Sequence, residues 1–136
     1  MARLGAIRAA EPWTRSVLRI AAGFTFCLHG LEKLFGMFGG LGGHGARVPL
    51  FSLMGLAGCL ETFGGILLIL GLFTVPVAFI LSGEMAVAYF MAHFPRGWFP
   101  IQNGGELAVL YFFIFLYLFT AGAGPASADH WIRKKN

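Results

Sequence analysis

The chain has 136 residues, of which 57% are hydrophobic and 12% charged, with a formal net charge of +4. Soluble domains average about 25% charged residues, and a single small domain of this length could not hide so much apolar surface from water. A water-soluble domain is therefore excluded, and a lipid bilayer is the expected solvent.

From the N-terminus, the first apolar run spans about Arg15 to Met37. It is too long for the core of a signal peptide, carries Glu32 and Lys33, and lacks a small-x-small cleavage site. The connection that follows, GMFGGLGGHGARVPLF, has six glycines between Gly36 and Gly45. No strand precedes it and no Gly-Lys-Ser/Thr follows, so it is not a phosphate loop. It reads either as a flexible connection or as a mobile lid over the outer surface. The second run covers about Phe51 to Phe73 and the third about Val75 to Phe94, with Pro76 suited to a helix first turn. In the second, Met54, Gly58, Glu61 and Gly65 share one face at helical spacing, where glycine admits close approach of another helix or a ligand. The fourth run covers about Gly104 to Gly122. Asn103 would be its N-cap, with Glu106 at N3 reaching back to the cap amide.

Each run is near the roughly 20 residues that a helix needs to cross the hydrocarbon core. The expectation is an all-α membrane protein forming one domain over residues 1–136, a four-helix transmembrane bundle. Four spans put both termini on one side, together with seven of the ten cations: Arg3, Arg8, Arg15, Arg19, Arg133, Lys134 and Lys135. That bias makes both termini cytoplasmic. Basic ends of this kind point to anionic lipid and not to nucleic acid. Trp13 and Trp131 would mark the cytoplasmic interface and Trp98 the outer one.

The six acidic residues are placed unevenly: Glu32, Glu61, Glu84 and Glu106 fall one per span. Counting the helical rise from the outer end, Glu106 lies ~4 Å in, Glu32 ~8 Å, His29 ~12 Å, and Glu61 and Glu84 both ~15 Å. A carboxylate at the bilayer midplane costs roughly 2.5–3.5 kcal/mol even on the mildest insertion scale. No Lys or Arg occurs between Arg47 and Arg96, so neither the second nor the third span brings its own counter-ion. Either the carboxyls are protonated and share a proton, or the first helix supplies partners, since His29, Glu32 and Lys33 share a face. The row reads as polar glue between helices or as a functional lane running from the outer mouth to the midplane. For Glu106, capping alone would also account for the carboxylate.

His29 and His93 would serve as axial ligands only at a common depth, and His93 lies near the outer surface. No HExxH or paired helical histidine spacing is present, so no metal site is expected. Cys27 and Cys59 lie at similar depths, ~14 and ~12 Å by residue rise, yet apolar cysteines are usually free.

Taken together, Arg19 at the head of the first helix, HGLEKL with Gly30 and Lys33, and ETFGGILLILGLFT with Glu61, Gly65 and Gly71 resemble the DoxX family of small bacterial four-helix membrane proteins. NGGELAVL with Asn103 and Glu106 and GAGPASAD with Gly122, Gly124, Ser127 and Asp129 extend the resemblance over nearly the whole chain. It implies a bacterial inner-membrane subunit of a quinone-, sulfur- or thiol-linked redox system, with quinone as its ligand. On that footing Glu61, Glu84 and His29 become proton-active candidates. Lys33, Arg96, Glu32, Asn103 and Glu106 become candidates for holding the substrate, Lys33 and Arg96 by steering an anionic sulfur species. The rival readings are an accessory subunit of a larger respiratory or photosynthetic complex, a homo-oligomer included, and a small proton-coupled exporter. A cation-binding exporter fits less well, because Glu32 lies close to the outer end and has a basic neighbour.

Overall fold

A computed structural model describes residues 2–135; among them the chain is helical, with no β-strand beyond one isolated bridge between Gly40 and Ala46. The side chain of Arg3 lies outside what is described. Helix α1 runs from Ala2 to Phe35, well upstream of the Arg15 expected from hydropathy alone. The polar lead contains Arg8, Ala9, Ala10 and Glu11, which favour a helix on their own account. It passes through Pro12, whose carbonyl accepts from the Ser16 hydroxyl at 3.1 Å. Helix α2, Leu53–Leu70, is capped by Ser52, whose side chain accepts from the Gly55 amide at 3.0 Å. It stops at Gly71, in the left-handed region at φ 65°, where the Leu72 amide reaches the Leu67 carbonyl at 3.0 Å.

Helix α3, Thr74–Ala88, holds Pro76 in its first turn and continues through a π turn at Tyr89–His93 and a 3₁₀ turn at Phe94–Arg96. A short α4, Pro100–Asn103, precedes α5, Glu106–Ala121, and α6, Ala128–Lys135, closes the chain. Among the described residues two stretches are long and apolar enough to cross a membrane, Leu53–Leu70 and Thr74–Arg96, while Glu106–Ala121 is apolar but shorter.

Helix α1 lies antiparallel along α2, and α3 antiparallel along α5, with the α2–α3 turn joining the two pairs. Glycine sets the α1–α2 spacing. A Cβ on Gly65 would stand 2.7 Å from the Gly23 carbonyl oxygen, and one on Gly58 would stand 2.9 Å from Leu34. Close helix contact therefore accounts for the glycine face of α2, although Met54, expected on that face, is exposed. Gly30 is the tightest point, because its Cβ would meet the Gly58 carbonyl oxygen at 2.7 Å and collide with Thr62. Gly30→Ala should therefore destabilise the fold by about 1–3 kcal/mol, the usual penalty of overpacking. Thermal unfolding in detergent checks this; an unchanged midpoint would mean that the helices separate freely. Across the bundle the core is aromatic and aliphatic: Phe26 meets Phe115 edge-on at 4.8 Å, beside fully buried Leu68, Leu81 and Leu118.

The end that holds both termini is fastened by two charged side chains. Arg19 is fully buried, and its guanidinium donates to the carbonyls of Leu68, Ile69, Ala123 and Ala126. This ties the last turn of α2 to the segment that crosses from α5 to α6. Asp129, in the first turn of α6, accepts from the backbone amides of Phe73 and Thr74, both at 2.8 Å. It thereby supplies the N-terminal cap that α3 lacks in its own sequence.

The glycine loop folds on itself. The Gly45 amide donates to the Gly39 carbonyl at 2.6 Å, and Val48 returns to the Lys33 carbonyl at 2.9 Å, so the loop is pinned to the last turn of α1.

The capping of α5 differs from expectation. Gly104, at φ 71°, and Gly105 separate α4 from α5, so Asn103 closes α4 and Gly105 occupies the N-cap of α5. The Asn103 side chain instead accepts from the Gly105 amide at 2.8 Å and donates to the Gly97 carbonyl at 2.8 Å. It fastens the loop after α3, and Glu106 makes no capping bond.

Candidate functional site

The polar residues gather at the opposite end of the bundle from Arg19. Lys33 in the last turn of α1 forms an ion pair with Glu61 of α2. Glu61 is 3% exposed, and its second carboxylate oxygen is buried with no hydrogen-bond partner among the described residues. The first helix thus supplies the counter-ion that α2 lacks. Such a pair stays inside only because each charge is answered by the other. The glycines allow it: the Cβ that Gly58 lacks would lie 3.3 Å from the Lys33 Cβ, one turn before Glu61, leaving the lysine stem room to lie against α2.

Glu84 of α3 lies within electrostatic reach of both Glu61 and Lys33. Both of its carboxylate oxygens are buried, and neither has a hydrogen-bond partner among the described residues. Buried polar atoms are nearly always paired, so two orphaned oxygens on one side chain call for a proton, a water or a ligand. His29 is half-exposed on the same face of α1 as Lys33, its Nδ1 3.9 Å from a Glu32 carboxylate oxygen.

A cavity of about 200 Å³ opens beside the ion pair, with His29, Lys33, Glu61, His93 and Tyr111 in its wall. His93, in the π turn at Tyr89–His93, and His29 share this wall although their depths counted from sequence differ. The His93 Nδ1 lies 3.2 Å from the Asn103 carbonyl oxygen and 3.1 Å from the Arg96 guanidinium. On the lipid side a groove of about 500 Å³ runs between α1 and α5 along Leu18, Ala21, Ala22, Leu110 and Ile114. Groove and cavity adjoin, having His29, Leu107 and Tyr111 in common. The Tyr111 hydroxyl donates to Thr25 at 2.7 Å, and its ring meets His29 edge-on with centroids 6.3 Å apart.

Of the residues picked out by sequence, the fold brings Lys33, Glu61 and His29 into one cavity wall, with Glu32 beside His29; Glu84 is not in that wall, although its neighbour Met85 is. Asn103 is buried one layer away, as a loop fastener. Glu106 is exposed at the head of α5 and absent from the cavity wall, while Arg96 is exposed and bonded to the Ala92 carbonyl of its own turn. Tyr111 and Thr25 were not singled out by sequence reading, since one tyrosine in an aromatic helix carries no signal of its own. Among the described residues no group of three His, Cys, Asp or Glu side chains is placed to hold a metal ion, and Cys27 and Cys59 are free thiols.

The family model described as DoxX matches residues 14–94, which include α2, α3 and most of α1, and with them Lys33, Glu61 and Glu84. An uncharacterized protein of Haemophilus influenzae is 47% identical, the match covering 92% of this chain and 95% of that protein. No solved structure matches the chain.

Proposed function

This chain belongs to the DoxX family of membrane proteins, and from that premise we propose that it is a four-span inner-membrane subunit of a redox system, taking a quinone-class ligand at the Lys33–Glu61–Glu84 cluster. The observation that carries the reading is Glu61, which stands with Lys33 in the wall of a cavity adjoining the groove and has one buried oxygen without a partner among the described residues, while Glu84, next to Met85 of the same wall, has two. An isoprenoid tail suits the groove, whose wall is apolar apart from Thr25, His29 and Tyr111. A quinone-class ligand brings paired proton and electron chemistry. The chain's own residues hold the head and handle the protons. Tyr111 and His29 offer hydrogen bonds at the junction of groove and cavity, and Glu61 and Glu84 offer acceptor oxygens for protons released there. Lys33 holds one oxygen of Glu61 in an ion pair, and the other Glu61 oxygen and both oxygens of Glu84 have no partner among the described residues. Pairing with Lys33 also weakens the exporter reading, since a cation drawn to Glu61 would have to displace an ammonium already in place.

Two measurements test this. The first is native mass spectrometry of the gently solubilised chain, with its extracted small molecules identified. A quinone should accompany the wild-type chain and fall about tenfold in Glu84→Gln, a loss of about 1.4 kcal/mol of binding. Glu61→Gln should also lose function while leaving the fold nearly intact, because an amide still accepts from Lys33 but carries no proton. A chain found only with larger partners, and without quinone, would sink the reading in favour of an accessory subunit. The second concerns topology. With Cys27 and Cys59 replaced by Ala, His44→Cys and Lys134→Cys should label from opposite sides of the membrane. Labelling from one side would overturn the four spans.

A further inference from the structure

The end of the bundle that carries the termini holds a second cavity, of about 290 Å³, remote from the acidic cluster. Its wall is made by Arg15 of α1, the backbone of the segment between α5 and α6, and His130 and Arg133 of α6. Arg15 donates to the Ala121 carbonyl, and a second guanidinium nitrogen faces Glu11 at 3.4 Å. Its Nε is buried and has no partner among the described residues. The one carboxylate in the wall, Asp129, has both oxygens engaged by the Phe73 and Thr74 amides. Glu11, next in sequence to Pro12 of the wall, takes the Tyr117 hydroxyl at 2.8 Å as well as Arg15. The cavity wall therefore carries two guanidinium groups and an imidazole; Asp129 is taken up by backbone amides, and Arg15 is engaged by Ala121 and, at a long 3.4 Å, by Glu11, with its Nε still unpartnered among the described residues. Guanidinium groups suit phosphate oxygens, which they can meet with two parallel hydrogen bonds.

The surroundings say where such a phosphate would come from. Trp13 and Trp131 stand exposed near this end, as indoles do at the headgroup level of a bilayer. Ile132 is exposed on α6, and the basic residues Arg133, Lys134 and Lys135 follow it. A short helix with aromatic and aliphatic side chains and a basic end belongs at a membrane surface. Basic pockets at helix ends are recurrent sites for anionic headgroups. We propose that this cavity binds the phosphate group of an anionic phospholipid, with Arg15 and Arg133 as its ligands. The site is independent of the quinone reading and needs only that the chain lie in a membrane.

The test uses the full chain in detergent, titrated by native mass spectrometry with phosphatidylglycerol, phosphatidylcholine and inorganic phosphate. Phosphatidylglycerol should bind in preference to phosphatidylcholine. Its affinity should fall about tenfold in Arg15→Gln/Arg133→Gln and by less than about twofold in Lys134→Gln/Lys135→Gln, which removes the same charge from the tail. Arg133→Gln alone, at an exposed position, should give a measurable part of the loss even if the Arg15 variant folds poorly. Equal losses in the two double variants would overturn the proposal, since they would report tail charge alone. Equal binding of phosphatidylcholine would overturn it as well. Displacement of the lipid by millimolar inorganic phosphate, with the same dependence on Arg133, would assign the cavity to a soluble phosphate and overturn the lipid source.

Discussion

Lys33→Met should destabilise the protein by about 3–5 kcal/mol, because it leaves Glu61 as a buried carboxylate with nothing to answer its charge. Glu61→Gln should cost far less. The amide oxygen still accepts from Lys33, and the ammonium, near the end of α1, can reach toward water along its own stem. The asymmetry is the diagnostic feature. A double variant, Lys33→Met/Glu61→Met, should recover most of the lost stability, since removing both charges also removes the desolvation cost of each. Unfolding midpoints in detergent for the two single variants and the double decide it through the coupling energy. If Lys33→Met costs less than about 1 kcal/mol, Glu61 does not depend on Lys33 and the pair is not the centre of the site.

Arg19→Leu should be comparably damaging, for a different reason. Four backbone carbonyls on two separate segments accept from this one guanidinium. Each buried carbonyl left without a donor costs roughly 1–3 kcal/mol, and the aliphatic replacement returns only part of that through packing. A loss of about 4 kcal/mol is expected, together with faster proteolysis between Gly122 and Asp129. Arg19→Lys should not restore stability. An ammonium is a point donor, and it cannot span acceptors spread around a planar fork. A lysine variant within about 1 kcal/mol of wild type would show that charge alone, and not the spread of donors, fastens this end.

The contrast between these two residues shows what could be read from sequence. The cluster around Glu61 was legible because desolvating a carboxylate is costly wherever it occurs, and helical spacing put His29, Glu32 and Lys33 on one face. The glycine face of α2 was legible for the same local reason, and α1 contributes glycines opposite it. Arg19 entered the sequence reading only as a cation and as part of the DoxX resemblance; its role as a fastener was hidden, since its acceptors are main-chain carbonyls, which every residue carries and no side-chain pattern marks. Asp129, also part of that resemblance, hid its role in the same way: it caps α3 from 55 residues away. The capping box proposed for Asn103 and Glu106 was sound as a local pattern. Two glycines after Asn103 broke it, letting the chain turn before the helix began and leaving Glu106 outside the cavity that its spacing had seemed to lead into.

The same long-range clamp bears on how the protein is made. Arg19 leaves the ribosome 104 residues before Ala123 and 107 before Ala126. Until those residues are made, the first helix carries a guanidinium whose final partners do not yet exist. The Leu68 and Ile69 carbonyls arrive midway and satisfy part of it. The remainder waits for the last crossing segment. A product that stops before Ala123 lacks two of the four carbonyls that hold this charge, so Arg19 ties the packing of the first helix to residues made more than 100 positions later.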